Sequence, residues 1–298
     1  MRTSRLFRTA AAGTLLAVLA GCGSSGAHTA GGPETPPPPG TAPASDPSAA
    51  ASAPGASGVP GFGIAGTGTP ESVTAALAAL PENLRKRVPQ FPPAPLPVKV
   101  TLPPATDGKA AFFSRIPTTE KIAFITIDDG WEKNPLALQL FQAANVPQSL
   151  FLEVNAIKDN PGFFLPLQTA GATIENHTIT HATMTRLSLE GQKREICGGA
   201  DKLAAYYGTR PTLFRPPGGS WNNNTLRAAH ACGMKAVFTW TQTTDHGKLF
   251  YQNEEKVIYP GDIILMHFRP RFVDDYLAVL KAIHKNGLTP ARLEDYIP

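Results

Sequence analysis

From Lys121 onward, short apolar β-rich runs alternate with stretches of helical length, and that alternation argues for an α/β fold built on a parallel sheet. The apolar runs are 121–127, 148–154, 172–176, 212–216, 235–241 and 262–268. The helical stretches are 135–145, 160–170, 188–207, 222–232 and 272–286. The third of these is the best marked. Ser188 offers an N-cap, Glu190 lies in the first turn, and Leu189, Ile196, Ala200 and Leu203 share one side. Gly208 then stops the helix in the way a C-terminal glycine does. About six or seven strands is fewer than an eightfold barrel requires, and a core of this size is ample for independent folding.

The N-terminal quarter of the chain has a different composition. Residues 1–21 carry Arg2, Arg5 and Arg8 ahead of a short apolar stretch, Ala10–Leu19, and are expected to be a signal peptide. Leu19-Ala20-Gly21-Cys22 matches a bacterial lipobox, in which Cys22 becomes the lipidated first residue of an exported protein held to the outer face of the cytoplasmic membrane. Residues 22–70 are mostly Gly, Pro, Ala, Ser and Thr, a composition that cannot bury enough apolar surface to fold and is expected to form a disordered tether. A lead-in, 71–118, follows, with a short helix expected within Ser72–Val88 and a Pro-rich extended run at Phe91–Pro104. The formal net charge is +4, and the three signal arginines account for three of those charges. Nothing in the remainder calls for a nucleic-acid partner. With Cys22 lipidated, Cys197 and Cys232 are left. Export permits a bridge between them, and two buried free thiols are the alternative.

Two of the apolar runs end in chemistry. Lys121-Ile-Ala-Phe-Ile-Thr-Ile127 leads directly into Asp128-Asp129-Gly130, and Ala172-Thr-Ile-Glu175 leads into His177-Thr-Ile-Thr-His181. Strand ends are where barrel enzymes gather catalytic groups. Together the segments supply two imidazoles and two carboxylates. Two His and one Asp with a coordination position to spare form the ligand set of a hydrolytic metal centre, whereas a closed structural site uses four protein ligands. The second carboxylate could then activate a water.

Thr126-Ile-Asp-Asp-Gly130 resembles the first motif of the polysaccharide deacetylases, carbohydrate esterase family 4. Asn176-His-Thr-Ile-Thr-His181 resembles the second, Phe214-Arg-Pro-Pro-Gly-Gly219 the third and Ile264-Leu-Met-His267 the fifth. The resemblance covers residues 119–298 and implies a distorted, incomplete (β/α) barrel. It also implies the roles. Asp129, His177 and His181 would hold a divalent metal, with zinc favoured and cobalt or manganese compatible with the same donors. Asp128 would be the general base, Arg215 would orient it and keep it ionised, and His267 would be the general acid. Leu265 would form an apolar wall for the acetyl methyl, and strand alternation puts it on the same face as His267. The Gly218 N–H would help to hold an oxyanion.

The chain departs from the family pattern in two places. Gly218 stands where the third motif has Tyr, which removes an aromatic wall from the sugar site. In the fourth motif Trp240, a candidate substrate contact, is followed by Thr241-Gln-Thr-Thr244, and the first carboxylate after it is Asp245. Either Asp245 reaches back to tune His267, or the acid has no carboxylate partner and its pKa falls. The resemblance implies removal of N-acetyl groups from a glycan, with peptidoglycan or a chitin-like oligomer as partner. O-deacetylation of a glycan uses the same apparatus, and a catalytically weakened glycan-binding protein is a reading of a different class.

Overall fold

The computed structural model describes residues 66–105 and 107–298. The expected signal peptide, Cys22 and nearly all of the expected tether lie outside the described residues. Among those described, no helix is long and apolar enough to cross a membrane.

In chain order the elements are α1 (Pro70–Ala79), α2 (Glu82–Arg85), β1 (Ala111–Phe113), β2 (Ile122–Asp129), α3 (Ala137–Ala144), β3 (Ser149–Leu152), α4 (Val154–Ile157), α5 (Leu165–Thr169) and β4 (Thr173–Asn176). They continue with α6 (Leu189–Tyr207), β5 (Leu213–Phe214), α7 (Asn223–Ala231), β6 (Ala236–Phe238), β7 (Gln242–Asp245), β8 (Lys248–Tyr251), β9 (Ile263–His267), α8 (Phe272–Lys285) and β10 (Thr289–Pro290). The sheet runs β1-β6-β5-β4-β3-β2-β9-β7-β8, with β10 pairing β2. Every pairing is parallel except the β7–β8 hairpin. This is the incomplete, curled (β/α) barrel that the motifs implied.

Alternation along the strands separates two apolar layers. Ala123, Ile125 and Ile127 of β2, with Leu150, Leu152, Ile264 and Met266, pack against Leu140 and Phe141 of α3 and Phe272, Tyr276 and Leu280 of α8. Phe124, Phe151, Leu213, Phe238 and Ile263 face the other way and meet Ile116, Leu293 and Tyr296. On this second face the β2 series continues from Phe124 through Thr126 to Asp128, so its apolar filling gives way to polar groups toward the strand end.

Local chemistry explains where the elements begin and end. The Ser188 side chain accepts from the Gly191 N–H, and Gly208 closes α6 in a left-handed conformation. Asn222 and Thr225 form a capping box at the start of α7. The expected helix 160–170 is instead a 3-10 turn at Pro161–Phe164 followed by the short α5, because Pro161 and Pro166 can occupy only first-turn positions. The run 235–241 is shorter than expected as a strand. It ends at Phe238 and passes into β7 and β8, two strands not foreseen.

The lead-in is part of this fold. β1 pairs with β6, while Leu80, Leu84 and Val88 pack into the helix-side layer and Ala94 and Val100 into the other. Cys197 of α6 and Cys232, the C-cap of α7, form a disulfide with a Cα–Cα separation of 4.9 Å.

Candidate active site

Parallel strands bring their C-terminal ends to one edge of the sheet, and the chemistry is collected there. β2 ends in Asp128 and Asp129, His177 follows β4, Arg215 follows β5, and β9 ends in His267. Asp128 is paired in register with His267, and Thr126 with Leu265, so these four side chains share one face.

The chain leaves β2 sharply. Asp129 has φ 72° and Gly130 φ 105°. A Cβ at Gly130 would lie 2.5 Å from Ile157 Cγ2, so only glycine fits there. The turn separates the two carboxylates. Asp128 Oδ1 accepts from Arg215 Nη1 at 2.8 Å, while its Oδ2 lies 3.7 Å from His177 Nε2. Asp129 Oδ1 lies 3.6 Å from His177 Nε2 and 3.5 Å from His181 Nε2.

The donor set fits a divalent metal. Ligand atoms of Asp129, His177 and His181 all lie within 4.8 Å of one another. Asp129 Oδ1 is buried and has no hydrogen-bond partner, an expensive arrangement unless something else occupies its lone pairs. His177 Nδ1 is 2.8 Å from the Arg215 carbonyl. That carbonyl can only accept, which places the proton on Nδ1 and leaves Nε2 free as a donor to metal. Burial and the neighbouring Asp128 carboxylate raise the Asp129 pKa, and burial lowers that of His177 to about 3. A cation between them would oppose the first effect by favouring the Asp129 carboxylate, and it would reinforce the second, since a neutral imidazole is the form that binds metal.

Arg215 is fully buried. Besides Asp128, it donates to Thr126 Oγ1 at 2.8 Å and to the Thr239 carbonyl at 3.3 Å, and its guanidinium lies 4.4 Å from the Phe151 ring centre. The Asp128 pKa is nevertheless raised. Burial is the largest cause, and Arg215 pulls the other way. A buried carboxylate whose pKa is raised and whose plane is fixed by one cation is a stronger base toward water than an ordinary aspartate.

Asp245 does not reach His267. β7 follows β9 only as far as Thr243 beside Leu265, then turns back into β8. At that turn the half-exposed Asp245 carboxylate pairs with His246 Nδ1 at 2.8 Å, and the adjacent Gly247 N–H is held by Asp275 of α8 at 2.6 Å. His267 Nδ1 is left buried with no partner. Burial first, then Arg269, His177, Arg215 and His181, depress the His267 pKa to about 2. The second of the two outcomes foreseen for this histidine is the one the fold adopts.

Trp240 packs against the third-motif loop, with its Cη2 3.1 Å from where a Gly219 Cβ would stand and its ring centre 5.8 Å from the Arg215 guanidinium. Gly218 has φ 59° and open space around its missing side chain. An exposed aromatic lies three residues further on, where Trp221 stacks on Phe112 at 4.2 Å. Trp131, which follows the Asp-Asp-Gly turn, is 58% exposed. Neither indole was singled out from sequence, because a lone Trp carries no spacing signal. Glu153 was missed for the same reason. It is buried beside Asp129, its N–H donates to the Asp129 carbonyl at 3.0 Å, and its pKa is raised to about 7, mainly by burial.

The family model of polysaccharide deacetylase matches residues 115–237. An uncharacterized protein of Streptomyces coelicolor is 34% identical over 201 residues, which span 66% of this chain and 78% of that one. The chain belongs to the polysaccharide deacetylase family, carbohydrate esterase family 4. Another relative, the peptidoglycan-N-acetylglucosamine deacetylase of Bacillus cereus, is 29% identical over 51% of this chain and 75% of that protein. The fold is also that of solved family members. Bacillus subtilis PdaA, a family 4 carbohydrate esterase, superimposes with a TM-score of 0.53 at 21% identity over 64% of this chain and 86% of that one. A carbohydrate esterase family 4 pseudoenzyme from Bacillus anthracis gives 0.56 at 22% identity over 63% and 69%. Since a polysaccharide deacetylase fold is shared by enzymes and a pseudoenzyme, activity has to be argued from the site.

Proposed function

We propose that this protein is a metal-dependent hydrolase that removes N-acetyl groups from an N-acetylated glycan outside the cell, with peptidoglycan or an N-acetylglucosamine oligomer as substrate. The observation that carries this reading is the pairing of an orphaned Asp129 oxygen, set between two imidazoles, with a buried Asp128–Arg215 ion pair beside it. A binding protein has no use for a poised carboxylate next to a metal site. Relatives named as peptidoglycan and chitooligosaccharide deacetylases support the substrate class. The signal-like N-terminus and Cys22 support export and lipid anchoring beside the cell wall.

Asp129, His177 and His181 would hold the metal. When bound, it supplies Lewis acidity that polarises the acyl oxygen and makes water a stronger acid. The chain's own residues do the rest. Asp128 Oδ2 takes a proton from the attacking water while Arg215 holds Oδ1 and fixes the carboxylate plane. The Gly218 N–H donates to the oxygen that gains charge as the carbonyl becomes tetrahedral. Leu265 shapes the space for the methyl group. His267 passes a proton to the departing nitrogen. Because its imidazole is neutral at rest, the proton it gives up is matched by the one Asp128 took from water, so the water's hydroxyl ends on the acetate and its hydrogen on the amine.

That neutral His267 also supports a second reading, O-deacetylation, because an alkoxide leaves with less help from an acid than an amine does. Acetate release from N-acetylglucosamine oligomers and from an O-acetylated xylan, each with added zinc, separates the two. Faster turnover of the N-acetyl substrate is expected. Turnover of the O-acetyl substrate alone overturns the N-deacetylase assignment.

A further inference from the structure

The loop that carries His177 and His181 follows a backbone path that its own residues do not favour. Thr178 has φ 74° and His181 φ 56°, left-handed values that a residue with a side chain adopts only against a steric penalty. Such a path persists only where its surroundings dictate it.

The surroundings include α4, whose Val154 and Asn155 N–H groups donate to the carbonyls of Thr178 and Ile179 at 3.1 and 3.0 Å. Within the loop, Thr178 Oγ1 accepts from the His181 N–H at 3.1 Å. The third element is one turn of α6, Glu195–Gly199, which supplies the one carboxylate. Glu195 Oε2 accepts from the N–H of Ile179 at 3.0 Å and of Thr180 at 2.9 Å, and Oε1 accepts from Thr180 Oγ1 at 2.9 Å. The next residue, Ile196, accepts through its carbonyl from Asn176 Nδ2 at 2.8 Å, and Asn176 Oδ1 in turn accepts from the Thr178 N–H at 3.0 Å. Gly198 and Gly199 let the helix come close enough. A Cβ at 198 would sit 2.7 Å from Ile179 Cδ1, and one at 199 would sit 2.6 Å from Asn176 Oδ1. The disulfide at Cys197 ties the same turn to the end of α7.

We infer that Glu195 is a positioning residue for the metal triad: by gripping residues 179–180 it sets the spacing of the two imidazoles, so metal affinity depends on a carboxylate that does not touch the metal. This rests on the reading of Asp129, His177 and His181 as ligands. Histidine–zinc bonds are confined to about 2.0–2.1 Å, so a loop that wanders by about an ångström loses ligand geometry. Three charge-assisted hydrogen bonds to one carboxylate are a strong enough restraint to prevent that.

The test is a cobalt(II) titration of the metal-free protein, read by visible absorption and by competition with a chelator, alongside urea unfolding without metal. Glu195→Ala is expected to weaken cobalt binding by about 10–100-fold, the usual consequence of losing an outer partner of a ligand, and to change the absorption envelope. Glu195→Gln keeps the shape but puts an amide where acceptors are needed, so it should weaken binding by less and carries the test if the alanine variant does not fold. Glu190→Ala, on the same helix and paired among the described residues with Lys193 alone, at the surface, should bind as the unaltered protein does. If both Glu195 variants lose folding stability while cobalt affinity and spectrum stay within about twofold, the residue is merely structural and the inference fails. If the unaltered protein binds no cobalt, the underlying metal reading fails instead.

Discussion

Replacing Arg215 by Met tests the ion pair at the heart of the site. Arg215 is fully buried and Asp128 almost so, and their 2.8 Å contact is the only charge-assisted bond the carboxylate makes among the described residues. Removing the cation leaves an ionised carboxylate in a dry pocket, which costs about 3–5 kcal/mol. Asp128 can avoid that by taking up a proton. The loss then falls to about 1–2 kcal/mol, the worth of the two remaining hydrogen bonds to Thr126 and the Thr239 carbonyl. The pH dependence has a fixed sign. Asp128 already has a raised pKa in the folded protein, and losing Arg215, its largest lowering influence, raises it further. A carboxylate with a raised folded pKa favours folding at low pH and loses that contribution as pH rises through the folded value. Urea unfolding of the metal-free Arg215→Met variant should therefore show a deficit of about 1–2 kcal/mol near pH 5 that grows to about 3–5 kcal/mol near pH 8. Arg215→Met combined with Asp128→Asn should recover about 2 kcal/mol of the pH 8 loss, because no charge is stranded. An Arg215→Met deficit that stays under about 1 kcal/mol and does not change with pH would mean that Asp128 does not depend on Arg215 for its charge.

Other consequences follow from the same contacts. Glu153, with its pKa raised to about 7, favours folding below about pH 4.5 and loses that contribution as pH rises through 7. Glu153→Gln should thus stabilise the metal-free protein by about 1–3 kcal/mol at pH 8 and by little at pH 4. Reducing the Cys197–Cys232 bridge, whose cysteines are 35 residues apart in sequence, should cost about 2–4 kcal/mol in urea unfolding by freeing that loop in the unfolded chain. Asp245→Ala should leave both limbs of the rate profile in place, since Asp245 pairs with His246 and not with His267. A displaced limb would mean the two do communicate.

The parts of the site legible in the sequence are those where spacing encodes geometry. His177 and His181 sit on one tight loop, and Asp128 and Asp129 end one strand, so adjacency in the chain already implies adjacency in space. Leu265 and His267 were legible through alternation. Asp245 was not, because its distance from His267 depends on where β7 departs from β9. That is set by the two-residue turn at His246 and Gly247, both at positive φ, and by its contact with Asp275 of a distant helix. Glu195 was hidden for a related reason. It lies 14 residues beyond His181 on a helix that reads as ordinary, and only the packed structure shows which backbone it holds. In the fold, the helices with strong caps came through with little change. β1 did not declare itself, because three residues of Ala-Phe-Phe in a Pro-rich lead-in become a strand only when β6 offers an edge.

Metal-dependent deacetylation at this site is decided by acetate release from N-acetylglucosamine oligomers, measured with the zinc-loaded protein and with its Asp129→Ala variant. About one zinc bound per chain with steady acetate release is expected, and loss of both in the variant. Release that persists at the full rate after rigorous metal removal, or in Asp129→Ala, would contradict metal dependence at this site.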